Sequence, residues 1–248
     1  MSPSRPNFGR VAGRYEELRP ADANWHELLE LVVREGDLAG RRVLDVGCGT
    51  GRTAAALVER GARVWGVEPS PEMAALARER LSTVKIAPAE QLPFKDGWFE
   101  RALMQLVIHL VDRPQAFAEA RRVLGANGRL AIVTFGSEHF ERYWLNSFFP
   151  SLEELDRARF PMPAELVGEL RDAGFEHVRL VPLNQRVVID REWALTKVRG
   201  HFISTLQLLD EDEFRLGLER LEAELPERVE YELGWLVAVA HKDAELTL

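Results

Sequence analysis

The chain holds one cysteine in 248 residues, Cys48. A single thiol forms no intrachain disulfide and no cysteine cage for zinc, which excludes disulfide scaffolds and zinc fingers. No H-E-x-x-H spacing occurs and the 6 histidines are scattered, so no metal centre is expected. There is no run of 18 apolar residues long enough to cross a bilayer as a helix. The opening MSPSRPNFGR has basic residues but no apolar segment, so a secretory signal is not expected and a reduced, cytoplasmic setting is. Lysine is scarce too: 4 of the 32 basic residues, the other 28 being arginine. That bias fits heat adaptation or a GC-rich genome without separating them. Basic charge is also in deficit, 32 against 40 acidic residues, and a net charge of -8 argues against a nucleic-acid backbone as main partner. The remaining balance, 46% hydrophobic and 29% charged, is that of a globular protein of one large domain, or one domain with a cap.

Periodicity supplies the organisation. Trp25, Leu28, Leu29, Val32 and Val33 repeat at helical spacing and stop near Gly36. The apolar run Val43-Leu44-Asp45-Val46 then meets glycines, as a buried parallel strand entering a tight turn does. Helix 53–60, strand 63–67, helix 71–81, strand 84–87, strand 99–106, helix 114–124 and strand 129–135 follow. Ser70 is the N-cap and Pro71 the first residue of the second helix of this series. This alternation predicts a doubly wound, mostly parallel sheet. After residue 136 the pattern changes. Residues 137–160 are aromatic-rich, 163–173 read as a helix, 177–181 as a sixth strand, 191–225 as charged helix and 231–240 as the last strand. The stretch 191–225 lies between two strands of one sheet, so it must leave the sheet and can cap it.

The sharpest motif is Val43-Leu44-Asp45-Val46-Gly47-Cys48-Gly49-Thr50-Gly51-Arg52. Glycines at alternate positions let a backbone turn sharply and approach a ligand. The dinucleotide fingerprint needs glycine where Arg52 stands, and no Walker G-K-[ST] is present. Together with VWGVEPSPEM at 64–73, AEQLPF at 89–94 and HLVDRPQAFAEARRVLGANGRLAIVTF at 109–135, the loop resembles class I S-adenosylmethionine-dependent methyltransferases. Within them it looks like the small-molecule group related to ubiquinone and menaquinone biosynthesis. The resemblance covers 40–136 well and the flanks loosely. It departs from the common pattern at Phe99-Glu100 and at Gly125-Ala126-Asn127-Gly128, where turn residues are nonetheless kept.

The resemblance implies a seven-stranded Rossmann-like fold with a helical cap and S-adenosyl-L-methionine as cofactor. It implies a lid at 1–40, a cofactor-binding core at 41–136, and remaining strands at 137–248 with cap insertions near 137–160 and 191–225. Gly47, Cys48, Gly49 and Gly51 form the loop. Asp45 orients that loop and serves the ligand's ammonium group. Glu68, 17 residues after Gly51 and followed by Pro69, accepts the ribose hydroxyls. Met73, Ala89, Glu90 and Gln91 face adenine, and Gln105 and Leu106 the methionine part. Tyr15, in Gly13-Arg14-Tyr15-Glu16-Glu17-Leu18, resembles a lid tyrosine over that part.

Methyl transfer needs a positioned nucleophile and dry surroundings, and a base where the acceptor is protonated. His109, just past the fourth strand, is the candidate base; capping the following loop is its other reading. The aromatics from Phe140 to Phe149 read as pocket wall or as packing. Arg199, His201 and Ser204 fall in the cap, where Arg199 reads as a solvated face more readily than as an anion contact. The expected partner is a small-molecule acceptor, with no nucleic acid and no membrane; the oligomeric state is left open. Two alternatives stand beside this reading: a methyltransferase acting on RNA or protein, and a cofactor-binding protein without turnover. No N/D-P-P-[FYW] signature supports the first.

Overall fold

The computed structural model describes residues 6–243; the outer ends of the expected lid and of the C-terminal stretch, 1–5 and 244–248, lie outside the described residues. A 3-10 turn, Phe8–Arg14, leads into helix α1 (Ala23–Gly36), whose N-cap Asp22 accepts the Trp25 N–H at 2.9 Å. Strand β1 (Arg42–Val46), α2 (Arg52–Glu59), β2 (Arg63–Val67), α3 (Pro71–Arg78) and β3 (Val84–Lys85) follow. Next come β4 (Phe99–Gln105), α4 (Arg113–Val123), β5 (Leu124–Phe135), α5 (Ser137–Glu141), α6 (Leu152–Arg159) and α7 (Pro163–Asp172). The chain closes with β6 (Glu176–Asp190), α8 (Arg191–Arg199), α9 (Glu211–Glu224) and β7 (Arg228–His241).

The seven strands form one sheet in the order β3-β2-β1-β4-β5-β7-β6. The first five are parallel, and β7 runs antiparallel to both β5 and β6. Both faces are covered, which is why the inner strands carry near-continuous apolar runs such as Val43-Leu44 and Ala102-Leu103-Met104 rather than alternating ones. Leu44, Met104 and Ile132 enter one core with Phe99, Phe117 and Phe175. Their neighbours Val43, Leu103 and Val133 point the other way, onto Leu28, Val32 and Leu57.

The doubly wound order is as expected, but β6 and β7 are longer than periodicity suggests. The sequence pattern stops β6 at Val181 because Pro182 and Asn184 interrupt it. β6 is an edge strand, where a missing donor is tolerated, so the ladder continues from Pro182↔Leu236 to Asp190↔Arg228. β5 ends at Phe135↔Trp235. Residues 184–190 and 228–234 therefore project past β5 as a two-stranded ribbon of about 20 Å. The insertion 191–227 sits on that ribbon. It packs with the N-terminal segment and residues 143–152 into a third core containing Leu18, Leu145, Phe149, Val198, Leu221 and Val229.

Candidate active site

The turn after β1 is built for close approach. Gly47 and Cys48 donate their N–H groups to the Val67 carbonyl at 2.7 and 3.0 Å, which fastens the loop to β2. Gly47, Gly49 and Gly51 hold φ of 71°, 56° and 78°, left-handed values that favour glycine. Their surroundings differ. A Cβ on Gly47 would strike Val107 at 2.5 Å, whereas one on Gly49 would meet nothing within 4 Å. Gly47 thus answers to packing, and Gly49 faces open space. The Cys48 thiol is buried and packs against Gly66, and burial pushes its pKa up.

Two acids flank the loop. The Glu68 carboxylate accepts the Gly49 N–H at 3.0 Å and the Ser70 N–H at 2.9 Å. Burial raises its pKa against those two bonds. Asp45 is 2% exposed and receives no hydrogen bond from a described side chain. Burial, and then the Glu68 charge, raise it to about 7. The N-terminal segment is tied to the same loop: Thr50 Oγ1 donates to Glu16, and Arg80 bridges the Thr50 carbonyl, at 2.9 Å, to the Glu16 carboxylate. Burial works upward on Glu16, and the Arg80 and Thr50 bonds outweigh it and leave its pKa lowered.

A cavity of about 280 Å³ opens beside the loop along the C-terminal edge of the sheet. Tyr15, Asp45, Gly47, Cys48, Gly49, Gln105, Leu106 and His109 all line it. Thr53 Oγ1 fixes Gln105 by donating to its amide oxygen at 3.1 Å. Leu106 takes φ 54°, a rare value for a branched side chain, while its N–H donates to the Val133 carbonyl at 2.9 Å. The other expected residues sit around the loop, off the cavity wall. Gly51 caps α2, and Pro69 is exposed in the β2–α3 turn. Met73 is buried in α3 and Ala89 in the sheet core; Glu90 accepts the Asp112 N–H at 2.8 Å, and Gln91 is exposed.

His109 stacks on Phe160 with ring centres 4.1 Å apart. Its Nδ1 is enclosed without a partner, which leaves Nε2 as the nitrogen open to the cavity. Burial, then the Arg159 and Arg19 charges, hold its pKa well below the usual value, so the ring is neutral at pH 7. His139 has a parallel arrangement. It stacks on Phe135 at 4.0 Å, its Nδ1 also lacks a partner, and burial lowers it to about 4.

Residues 44–132 match the family described as methyltransferase domain. A demethylmenaquinone methyltransferase of Tropheryma whipplei is 33% identical over 167 residues, covering 61% of this chain and 69% of that protein. The chain belongs to the methyltransferase domain family. An uncharacterized methyltransferase of Mycobacterium tuberculosis is 37% identical over 129 residues, and the chain spans about half, 51%, of its length. Among solved structures, a putative methyltransferase from an antibiotic biosynthesis pathway of Anabaena variabilis superposes with a TM-score of 0.70 at 23% identity, over 86% of this chain and 96% of that one. A possible histamine N-methyltransferase of Thermotoga maritima, described as SAM-dependent, gives 0.56 at 25% identity over 95% and 98%.

The family match ends at Ile132, before both cap segments, and the residues that sequence reasoning missed lie mostly beyond it. Of the expected aromatics, Phe140 and Tyr143 reach the cavity, whereas Phe149 is fully buried in the third core against Phe214. Arg199 is exposed and pairs with Glu222 at 2.6 Å, a solvated face. Ser204 does line the cavity and accepts from Arg159 at 2.7 Å. Arg19, Asp156, Lys197, Tyr231 and Trp235 also line the wall, and no sequence signal marked them. Asp156 accepts from Thr205, and burial raises its pKa to about 6. Among the described residues, no group of three acids, histidines or cysteines can hold a metal ion, and no helix is long and apolar enough to cross a membrane.

Proposed function

We propose that this chain is an S-adenosyl-L-methionine-dependent methyltransferase acting on a small-molecule acceptor by in-line transfer. The observation that carries the reading is the loop: Gly49 faces open space with its N–H held by the Glu68 carboxylate, and the buried Asp45 carboxyl lines the cavity beside it. Those groups fit a ligand with ribose hydroxyls and an ammonium group. The SAM-dependent description of the Thermotoga relative supports the same cofactor.

When bound, S-adenosyl-L-methionine supplies an electrophilic methyl group on a sulfonium. Glu68 would accept the ribose hydroxyls, next to Pro69, and Asp45 would serve the ammonium group through the backbone of Gly47, Cys48, Gly49 and Gly51. Met73, Ala89, Glu90 and Gln91 form the adenine side; Gln105, Leu106 and Tyr15 hold the methionine side. The aromatic wall and the lid exclude water. The neutral His109 accepts a proton at Nε2 from an acidic acceptor, and its stacking on Phe160 fixes the ring for that task. We read 1–40 as the lid, 41–136 as the cofactor half and 137–248 as strands plus acceptor cap. We also read the protein as cytoplasmic, with its lone thiol reduced, and without nucleic acid as partner, given its net charge of -8.

Calorimetry tests this. S-adenosyl-L-methionine should bind and NAD should not. Glu68→Ala should weaken binding by about 1.5–3 kcal/mol, the scale for a charged hydrogen-bond partner. Unchanged affinity in that variant sinks the ribose assignment.

A further inference from the structure

Three cations line the cavity, Arg19, Arg52 and Lys197; none forms an ion pair with a described residue, and Arg52 is satisfied by the Arg19 carbonyl. Lys197, on α8, is half-buried and points its ammonium over the Phe202 ring at 4.8 Å. It forms no ion pair or hydrogen bond with a described residue, although nearly all the chain's other interior cations do. Arg19 faces the same space, with its guanidinium 4.2 Å above the Tyr15 ring and no carboxylate within ion-pair distance. The charged groups that act on Lys197 are Arg19, which repels it, and Asp22, which attracts it without closing to a salt bridge. Asp22 is already engaged, since it caps α1 through the Trp25 N–H. Burial first, and Arg19 second, lower Lys197 to about 8, so it is still largely protonated at pH 7. Desolvated like charges facing one cavity are unfavourable unless an anion completes the set.

Arg19 and Lys197 lie within electrostatic reach of each other, Arg19 being the charge that helps lower Lys197. The Arg19 carbonyl accepts from Arg52, at the start of the helix that follows the glycine loop, so Arg19 belongs to the loop side. Lys197 stands on the ribbon insertion beside Phe202, Ser204 and Thr205, all cavity-lining residues outside the family match. Beside them the wall carries five aromatic rings, Phe140, Tyr143, Phe160, Tyr231 and Trp235, along with the polar Asp156, Gln185 and His139.

We propose that the methyl acceptor carries an anionic group, a carboxylate or a phosphate, on a flat apolar body, and that Lys197 binds the anion. This rests on the methyltransferase reading of the same site. The other source of an anion is the cofactor's own carboxylate, and the experiment separates the two.

The test uses full-length protein saturated with S-adenosylhomocysteine, titrated at pH 7 with 3,4-dihydroxybenzoate and with 3,4-dihydroxybenzamide. The acid should bind about tenfold to a hundredfold more tightly than the amide, the range for one charged hydrogen bond. Lys197→Met should erase the preference and Lys197→Arg should keep it, with S-adenosylhomocysteine affinity unchanged in both and folding checked by thermal melting. Equal affinity for acid and amide, binding of neither, or a preference that survives Lys197→Met overturns the proposal. So does a loss that falls on S-adenosylhomocysteine instead, since the ammonium then serves the cofactor. Failure of the wild type to bind S-adenosylhomocysteine refutes the cofactor reading alone, because the acid–amide comparison in free protein still reports on Lys197.

Discussion

Replacing Asp45 by asparagine should make the free protein more stable and its ligand-bound form less so. The side chain lies one residue before the end of β1 with 2% exposure, and burial followed by the Glu68 charge holds its pKa at about 7 against an ordinary 3.8. Between those two pH values the folded chain keeps a proton that the unfolded chain has released, so stability falls as pH rises through the window. At about 1.36 kcal/mol per pH unit, ionisation destabilises the fold by about 2 kcal/mol at pH 5 and about 4 kcal/mol at pH 8. Asparagine cannot ionise. Its unpaired amide costs about 1–3 kcal/mol at either pH, so that term cancels between the two. Urea unfolding of both proteins at pH 5 and pH 8 should therefore show the variant gaining about 3 kcal/mol on the wild type across the interval. Parallel stability curves would refute the assignment of a buried, titrating carboxyl to Asp45. The ligand side gives a second reading. A cation bound beside Asp45 lowers its pKa again, so S-adenosyl-L-methionine should expel about half a proton at pH 7 from the wild type and none from the variant. Calorimetry in two buffers of different ionisation enthalpy measures that release.

Gly49→Val should abolish cofactor binding in calorimetry, because its side chain fills the open space at φ 56°; it should also cost about 1–3 kcal/mol of stability, and retained affinity would show that the ligand does not approach there. Gln185→Leu removes an amide that donates to Asn24 O at 2.8 Å and to Glu27 at 2.7 Å and accepts from the Trp235 indole at 2.8 Å. Stranding those partners should cost about 2–4 kcal/mol and lower Tm by roughly 5–15 °C; a melt within a degree of wild type would mean that the bridge contributes nothing. His109→Ala should cut turnover of an acidic acceptor by about 10²–10⁴ with cofactor affinity intact. Since the wild-type imidazole is neutral well below pH 6.5, the rate should hold down to that range and fall only under it; equal turnover in the variant returns His109 to a packing role.

The half of the molecule that carries the glycine loop was legible because its signals are local. Val43 to Gly51 needs no distant partner to read as strand and turn, and Ser70-Pro71 announces α3 by itself. The ribbon was not legible, because Pro182 breaks the strand pattern and its tolerance depends on β6 being an edge, a fact of the whole sheet. Lys197 and Arg199 are two residues apart on one helix, yet one faces the cavity and the other solvent. Which is which follows from how α8 rests on the ribbon, and helical spacing alone does not say. Phe149 and Phe140 looked equivalent in sequence, and only the packing of Phe149 on Phe214 sends it to the third core.

That third core has a kinetic consequence. Leu18, Phe149, Val198 and Leu221 are held to one another and to the outer ribbon through Val187, Val229 and Tyr231, not to the sheet's two main cores, which stay complete without them. The roof over the cavity can come away as a body through sub-global unfolding, at a free energy below that of melting the sheet. Opening of that body is then expected to pace the escape of a bulky product. Native-state amide exchange resolves this: amides of α8 and α9 should share one opening free energy lower than that of β1 and β4, and S-adenosylhomocysteine should raise it. A single opening free energy for all four elements would mean that the roof and the sheet unfold as one.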